Sequence, residues 1–111
     1  MSAAYLSHDE VNTALAGRMA RRLGIVLTTL HVKDAEHAVA ADLLVLDLDH
    51  LPPECKSKLF LRVGSGELRT GVAVHSYHLT AAEARALRGA GVRVSRRLTA
   101  AVFTRCETAS C

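Results

Sequence analysis

Tryptophan is absent from the 111 residues, and phenylalanine and tyrosine together supply only four aromatic rings. Any core must therefore be mainly aliphatic, and a platform of aromatic side chains for stacking nucleobases is not available. Lysine is scarce too, at three against eleven arginines. The arginines fall in scattered pairs such as "ARRLG" and "SRRL", so the net charge of +3 forms no phosphate-facing block. Nucleic acid is not an expected partner. The three cysteines (Cys55, Cys106 and Cys111) are odd in number, widely spaced and without a C-x-x-C pair. That pattern argues against a disulfide framework and for a reducing cytoplasm. Charges interrupt every apolar run before it could span a bilayer, and "MSAAYLSHDE" has neither the basic start nor the apolar stretch of a signal peptide. The expectation is one cytoplasmic domain over residues 1–111, with no membrane contact.

What is present alternates between two patterns. "AAYLS" reads as a short strand. In "HDEVNTALAGRMARRLG", Val11, Leu15, Met19 and Leu23 recur four apart as one helical stripe, with Gly24 as the stop. "IVLTTLHV" is β-branched and partly alternating, a second strand, and "KDAEHAVAA" has room for a short helix. "DLLVLDL" is apolar enough for a strand buried on both faces. A helix around residues 54–62 is expected to break at the "GSG" of Gly64 to Gly66. "GVAVHSY" follows as a fourth strand. "LTAAEARALRGAG" opens with Thr80 and Glu83 in capping-box spacing and is expected to close at Gly89. "VRVSRRL" alternates like an edge strand, and "TAAVFTRC" suits a last short helix.

Regular alternation of strand and helix in a chain this short predicts an α/β fold, a doubly wound parallel sheet with helices on both faces. The third and fourth strands are the most apolar and the second and fifth the most mixed, which the five-stranded order 2-1-3-4-5 accommodates. Function in such flavodoxin-like sheets lies beyond the carboxyl ends of the strands. His8, Asp9 and Glu10 follow the first strand, Asp47, Asp49 and His50 the third, and His75, Ser76 and His78 the fourth. All are expected at one rim. An acid directly after "LLVL" is costly unless it has partners, which singles out Asp47.

In this order, "LSHDEVNTALAGRMARRLG", "DLLVLDLDHLP", "GVAVHSYH" and "ALRGAGVRVSRRL" together resemble the receiver domain of bacterial response regulators, over essentially the whole chain. The resemblance implies Asp47 as phosphoacceptor, and Asp9, Asp47 and Asp49 as a magnesium site, Asp49 through its backbone carbonyl. It implies Ser76 as the hydroxyl that meets the phosphoryl group and Arg96 or Arg97 in place of the family's lysine. Such residues suit the chemistry, because magnesium takes oxygen ligands and a carboxylate nucleophile attacks phosphorus in line. A signalling partner, a histidine kinase among the candidates, would meet the face of "TAAEARALRGAG" and the fifth strand, with Arg85, Arg88 and Arg93 on it.

The chain also departs from the family. His8 stands where a second acid is usual, arginine is not equivalent to lysine as a compact cation, and Leu98 replaces a proline. Pro52 lies five residues after Asp47 rather than four. The expected result is a degenerate, stand-alone receiver that binds weak magnesium or no cofactor, is not an enzyme, and acts as a phosphorylation-independent interaction module. Two alternatives stay open: a phosphorylation-competent receiver, and a small enzyme or ligand-binding domain using the same rim. "VGSGELRTG" is no phosphate loop, since it precedes a strand rather than opening a helix. Ser7 with Glu10 offers a simple capping box, and Asp9 suits a helix N-terminus in any case. The rim histidines His8, His50, His75 and His78 would suit zinc only without a recognisable ligand spacing, and His31 and His37 read as surface residues.

Overall fold

The computed structural model describes residues 2–30, 42–65 and 71–103. Five parallel strands form one sheet in the order β2-β1-β3-β4-β5. They are β1 (Ser2–Leu6), β2 (Val26–Leu30), β3 (Leu43–Asp47), β4 (Gly71–His75) and β5 (Arg93–Ser95). The helices are α1 (Glu10–Arg22), α2 (Pro53–Ser65) and α3 (Ala81–Gly89), with 3-10 turns at Leu48–His50 and Ala100–Phe103. This is the doubly wound, flavodoxin-like arrangement expected from the alternation of elements.

Strand alternation sorts the core into two layers. Ala3, Tyr5, Leu43, Val45 and Ala73 face α1 and the 3-10 turn at Ala100–Phe103, where Ala16, Met19, Val102 and Phe103 meet them. Leu6, Leu46, Val72 and Val74 face the other way, onto Leu87 of α3 and Phe60 of α2. Among the described residues, no helix is long and apolar enough to cross a membrane.

Several boundaries differ from the sequence expectation, each for a local reason. On α1 the buried positions are Ala16 and Ala20, while Val11 is 71% exposed and Leu23 40%. Small residues let the helix lie close on the sheet, and the stripe of larger residues is displaced to its flank. No Ser7–Glu10 capping box forms. Asp9 is the N-cap, accepting from the Asn12 amide at 3.1 Å. Gly24 does stop α1, with φ of 70°. At α3 the left-handed glycine is Gly91 (φ 86°), two residues beyond the expected stop, because Gly89 still belongs to the helix. α2 runs through Gly64 to Ser65 rather than breaking before it. The Thr80–Glu83 capping box is present. The helix expected in residues 33–41 lies outside the described residues, as does the end of the last one. Its described part is a 3-10 turn.

Candidate functional site

Parity along β3 decides where Asp47 points. Leu43, Val45 and Asp47 share a face, and the register sets Asp47 beside His75 on β4. The acid therefore points into the layer under α1, next to Tyr5, and not outward over the rim. Asp47 is fully buried. Its Oδ2 accepts from Ser7 Oγ at 2.8 Å, Asn12 Nδ2 at 2.9 Å and His50 Nδ1 at 2.9 Å. These donors come from the end of β1, the first turn of α1 and the 3-10 turn after β3. One carboxylate oxygen thus ties together three segments that the chain order separates.

The other oxygen, Oδ1, is buried without a hydrogen bond. His75 Nδ1 stands 3.8 Å from it, too far for one. On its far side, His75 Nε2 is 2.8 Å from the Tyr5 hydroxyl, and the two rings lie nearly parallel at 6°. Burial lowers the His75 pKa, outweighing the upward pull of Asp47 and Asp49, so the imidazole is held neutral. A neutral ring carries one N–H. Placing it on Nδ1, toward the unpartnered oxygen, while the Tyr5 hydroxyl donates to Nε2, avoids facing two lone pairs across that gap. Burial, and then Asp47, push the Tyr5 pKa up, which keeps this hydroxyl protonated.

A second cluster sits on the rim. Ser76 Oγ donates to Asp49 Oδ1 at 2.5 Å, and the Tyr77 amide donates to Asp49 Oδ2 at 2.7 Å. Burial alone would raise the Asp49 pKa, but Ser76, the Tyr77 amide and His78 together hold it below the usual carboxylate value. Asp49 therefore braces the loop after β4.

The residues named from the sequence thus divide into separate groups. Asp47, His50 and His75 come together, Asp49 pairs with Ser76, and Asp9 caps α1. His8 and His78 are exposed. Arg97 is exposed as well, and its carbonyl accepts from Ser95 Oγ at 2.9 Å. Asn12 links two of these acids, its backbone amide donating to Asp9 and its side-chain amide to Asp47, while Asp49 holds Ser76 and the Tyr77 amide. Among the described residues, no group of three or more His, Cys, Asp or Glu side chains could hold a metal ion. Tyr5, Ser7 and Asn12 belong to the Asp47 network, and no motif points to Tyr5 or Asn12, while Ser7 reads only as a capping-box residue. The clue to Tyr5 is its parity in β1, which matches that of Asp47 once the strands are in register.

No family model matches this chain, and no curated protein matches it either.

The neutral His75 makes one solution property predictable. Its folded pKa lies below the ordinary 6.5, so the unfolded chain takes up the proton first as pH falls. Its stabilising contribution is complete above about pH 6.5 and is lost as pH drops through that value toward the lower folded one. Asp49 and Glu83, whose pKa values are lowered from 3.8 and 4.5, act only below this window. Urea unfolding at about pH 7.5 and about pH 5.5 should show wild type losing stability on acidification. His75→Gln should show a flatter dependence. Equal slopes for the two proteins would mean that His75 takes up its proton as readily when folded as when unfolded.

Proposed function

We propose that this chain is a receiver-like signalling module that works through protein contacts and without phosphoryl transfer. The observation that supports this most strongly is the enclosure of Asp47. In-line attack on phosphorus needs a carboxylate oxygen presented to the donor, with cations around the equatorial oxygens. Here Oδ2 already holds three donors, and Oδ1 is buried against His75. The Ser76 hydroxyl, which a phosphoryl group would need, is engaged by Asp49. In this reading the receiver-like architecture is kept as a rigid frame, and Asp47 joins its parts. Its partners are signalling proteins in the bacterial cytoplasm, a histidine kinase included, met on the side of α3 and β5.

Incubation with magnesium and acetyl phosphate, followed by intact-mass spectrometry, tests the reading. The expected result is no adduct beyond the level seen with Asp47→Asn. A stoichiometric adduct that Asp47→Asn abolishes would replace it with the phosphorylation-competent receiver.

A further inference from the structure

The face between α3 and β5 carries a groove of about 390 Å³. Helical spacing puts Ala81, Ala84, Arg85 and Arg88 on one side of it, and Val94, Ser95 and Arg96 form the other. Three guanidinium groups therefore border one concavity with no acidic side chain among its lining residues. The described residues give none of the three an ion pair. Arg88 lies in the last turn of α3, where the helix dipole already favours a cation. Neither Arg85 nor Arg96 has that explanation. The receiver resemblance puts Arg93 on this face, but its Nη1 reaches the Val102 carbonyl at 3.5 Å instead. Parity explains the exchange: Val94 packs toward α3, so Arg93 turns to the opposite layer and Arg96 returns to the groove.

We propose that this groove binds an acidic segment of a partner protein, two or more carboxylates meeting Arg85, Arg88 and Arg96 while an apolar side chain rests between them. The inference rests on the protein-contact reading and adds the chemistry of what is recognised. Guanidinium forks match carboxylates with paired hydrogen bonds. The floor supplied by Leu79, Ala84 and Val94 is partly buried and apolar, which suits one aliphatic anchor. A small anion would use the arginines but not that floor. The walls are exposed along α3, so the groove does not enclose a small molecule as ligand pockets do. It also borders β5, the edge strand of the sheet, beside which an extended segment could lie.

The test is fluorescence anisotropy with a labelled peptide bearing several Asp and Glu residues around one leucine. A peptide with Asn and Gln in their place and inorganic pyrophosphate serve as comparisons. Saturable binding of the acidic peptide is expected, weakening with added salt. Neutralising the peptide, or making Arg85→Glu or Arg96→Glu, should each reduce affinity about tenfold or more. Arg21→Glu, on α1 across the sheet, should leave it unchanged. The proposal is overturned by no binding at millimolar peptide, by equal binding of the neutral peptide, or by full binding to the Arg85→Glu/Arg88→Glu/Arg96→Glu protein. Pyrophosphate binding tighter than the peptide would also overturn it, in favour of a small-anion site. Thermal unfolding of each variant shows whether it is folded, since these side chains are exposed. None of these failures produces the Asp47-dependent phosphoryl adduct that would overturn the phosphorylation-independent reading, so the two remain separable.

Discussion

Replacing Asp47 with alanine should lower the free energy of unfolding by about 3 kcal/mol, against about 1 kcal/mol or less for asparagine. Alanine removes the acceptor on which Ser7, Asn12 and His50 converge. The buried Ser7 hydroxyl loses its acceptor and keeps only the Asp9 amide that donates to it, whereas His50, with a side chain 47% exposed, can turn to water. That difference keeps the expected cost below the sum of three buried hydrogen bonds. Asparagine retains a carbonyl oxygen for the same donors and no longer buries a carboxylate. Its remaining cost comes from an amide group facing His75, which must then present a lone pair at Nδ1. Urea unfolding of both variants checks the order. An alanine variant within about 0.5 kcal/mol of wild type would mean that water already serves these donors.

Phe103→Ala should cost about 3–4 kcal/mol. The side chain is fully buried and lies 6.5 Å from Tyr5, ring centre to ring centre, at a tilt of 49°. It comes from a four-residue 3-10 turn, in which Val102 is buried as well. This turn packs on β3, β4 and α1, covering the sheet layer that contains Asp47. Truncation opens a cavity next to the Tyr5–His75 pair, and so short an element cannot close it by shifting as a unit. Thermal unfolding should show the loss as a fall of well over ten degrees, at about 4–8 °C per kcal/mol for a domain near this size. A fall of only a few degrees would show that the turn is dispensable to the core.

The sequence was informative where one periodicity spoke alone. "LLVLD" and "GVAVH" could only be buried strands, and their position between mixed segments gave the sheet order. The inward direction of Asp47 was also implicit, since it shares parity with Leu43 and Val45. Its partners were not legible, because they depend on the register of β1 and β4 against β3, which no local pattern encodes. The helix stripe through Val11 holds at Met19, which packs on the core, but not at its two ends. Apolar volume drew attention to Val11 and Leu23, yet close helix–sheet packing selected Ala16 and Ala20. Arg93 lies away from the groove because strand parity in "VRVSRR" turns it to the layer opposite Val94. The rim residues were sensible candidates individually, but helix capping, loop bracing and core hydrogen bonding drew Asp9, Asp49 and Asp47 to different tasks.

The central claim is that Asp47 is a closed structural joint, and amide NMR with magnesium and beryllofluoride, a phosphoryl mimic, tests it most directly. A site open to phosphoryl groups would bind the mimic on Asp47 and disturb the ends of β3, β4 and β5 together. The predicted result is unchanged amide positions for Asp47, Asp49, Ser76, Tyr77 and Ser95 across the titration. Saturable shifts at these residues in wild type, absent from Asp47→Asn, would contradict the claim.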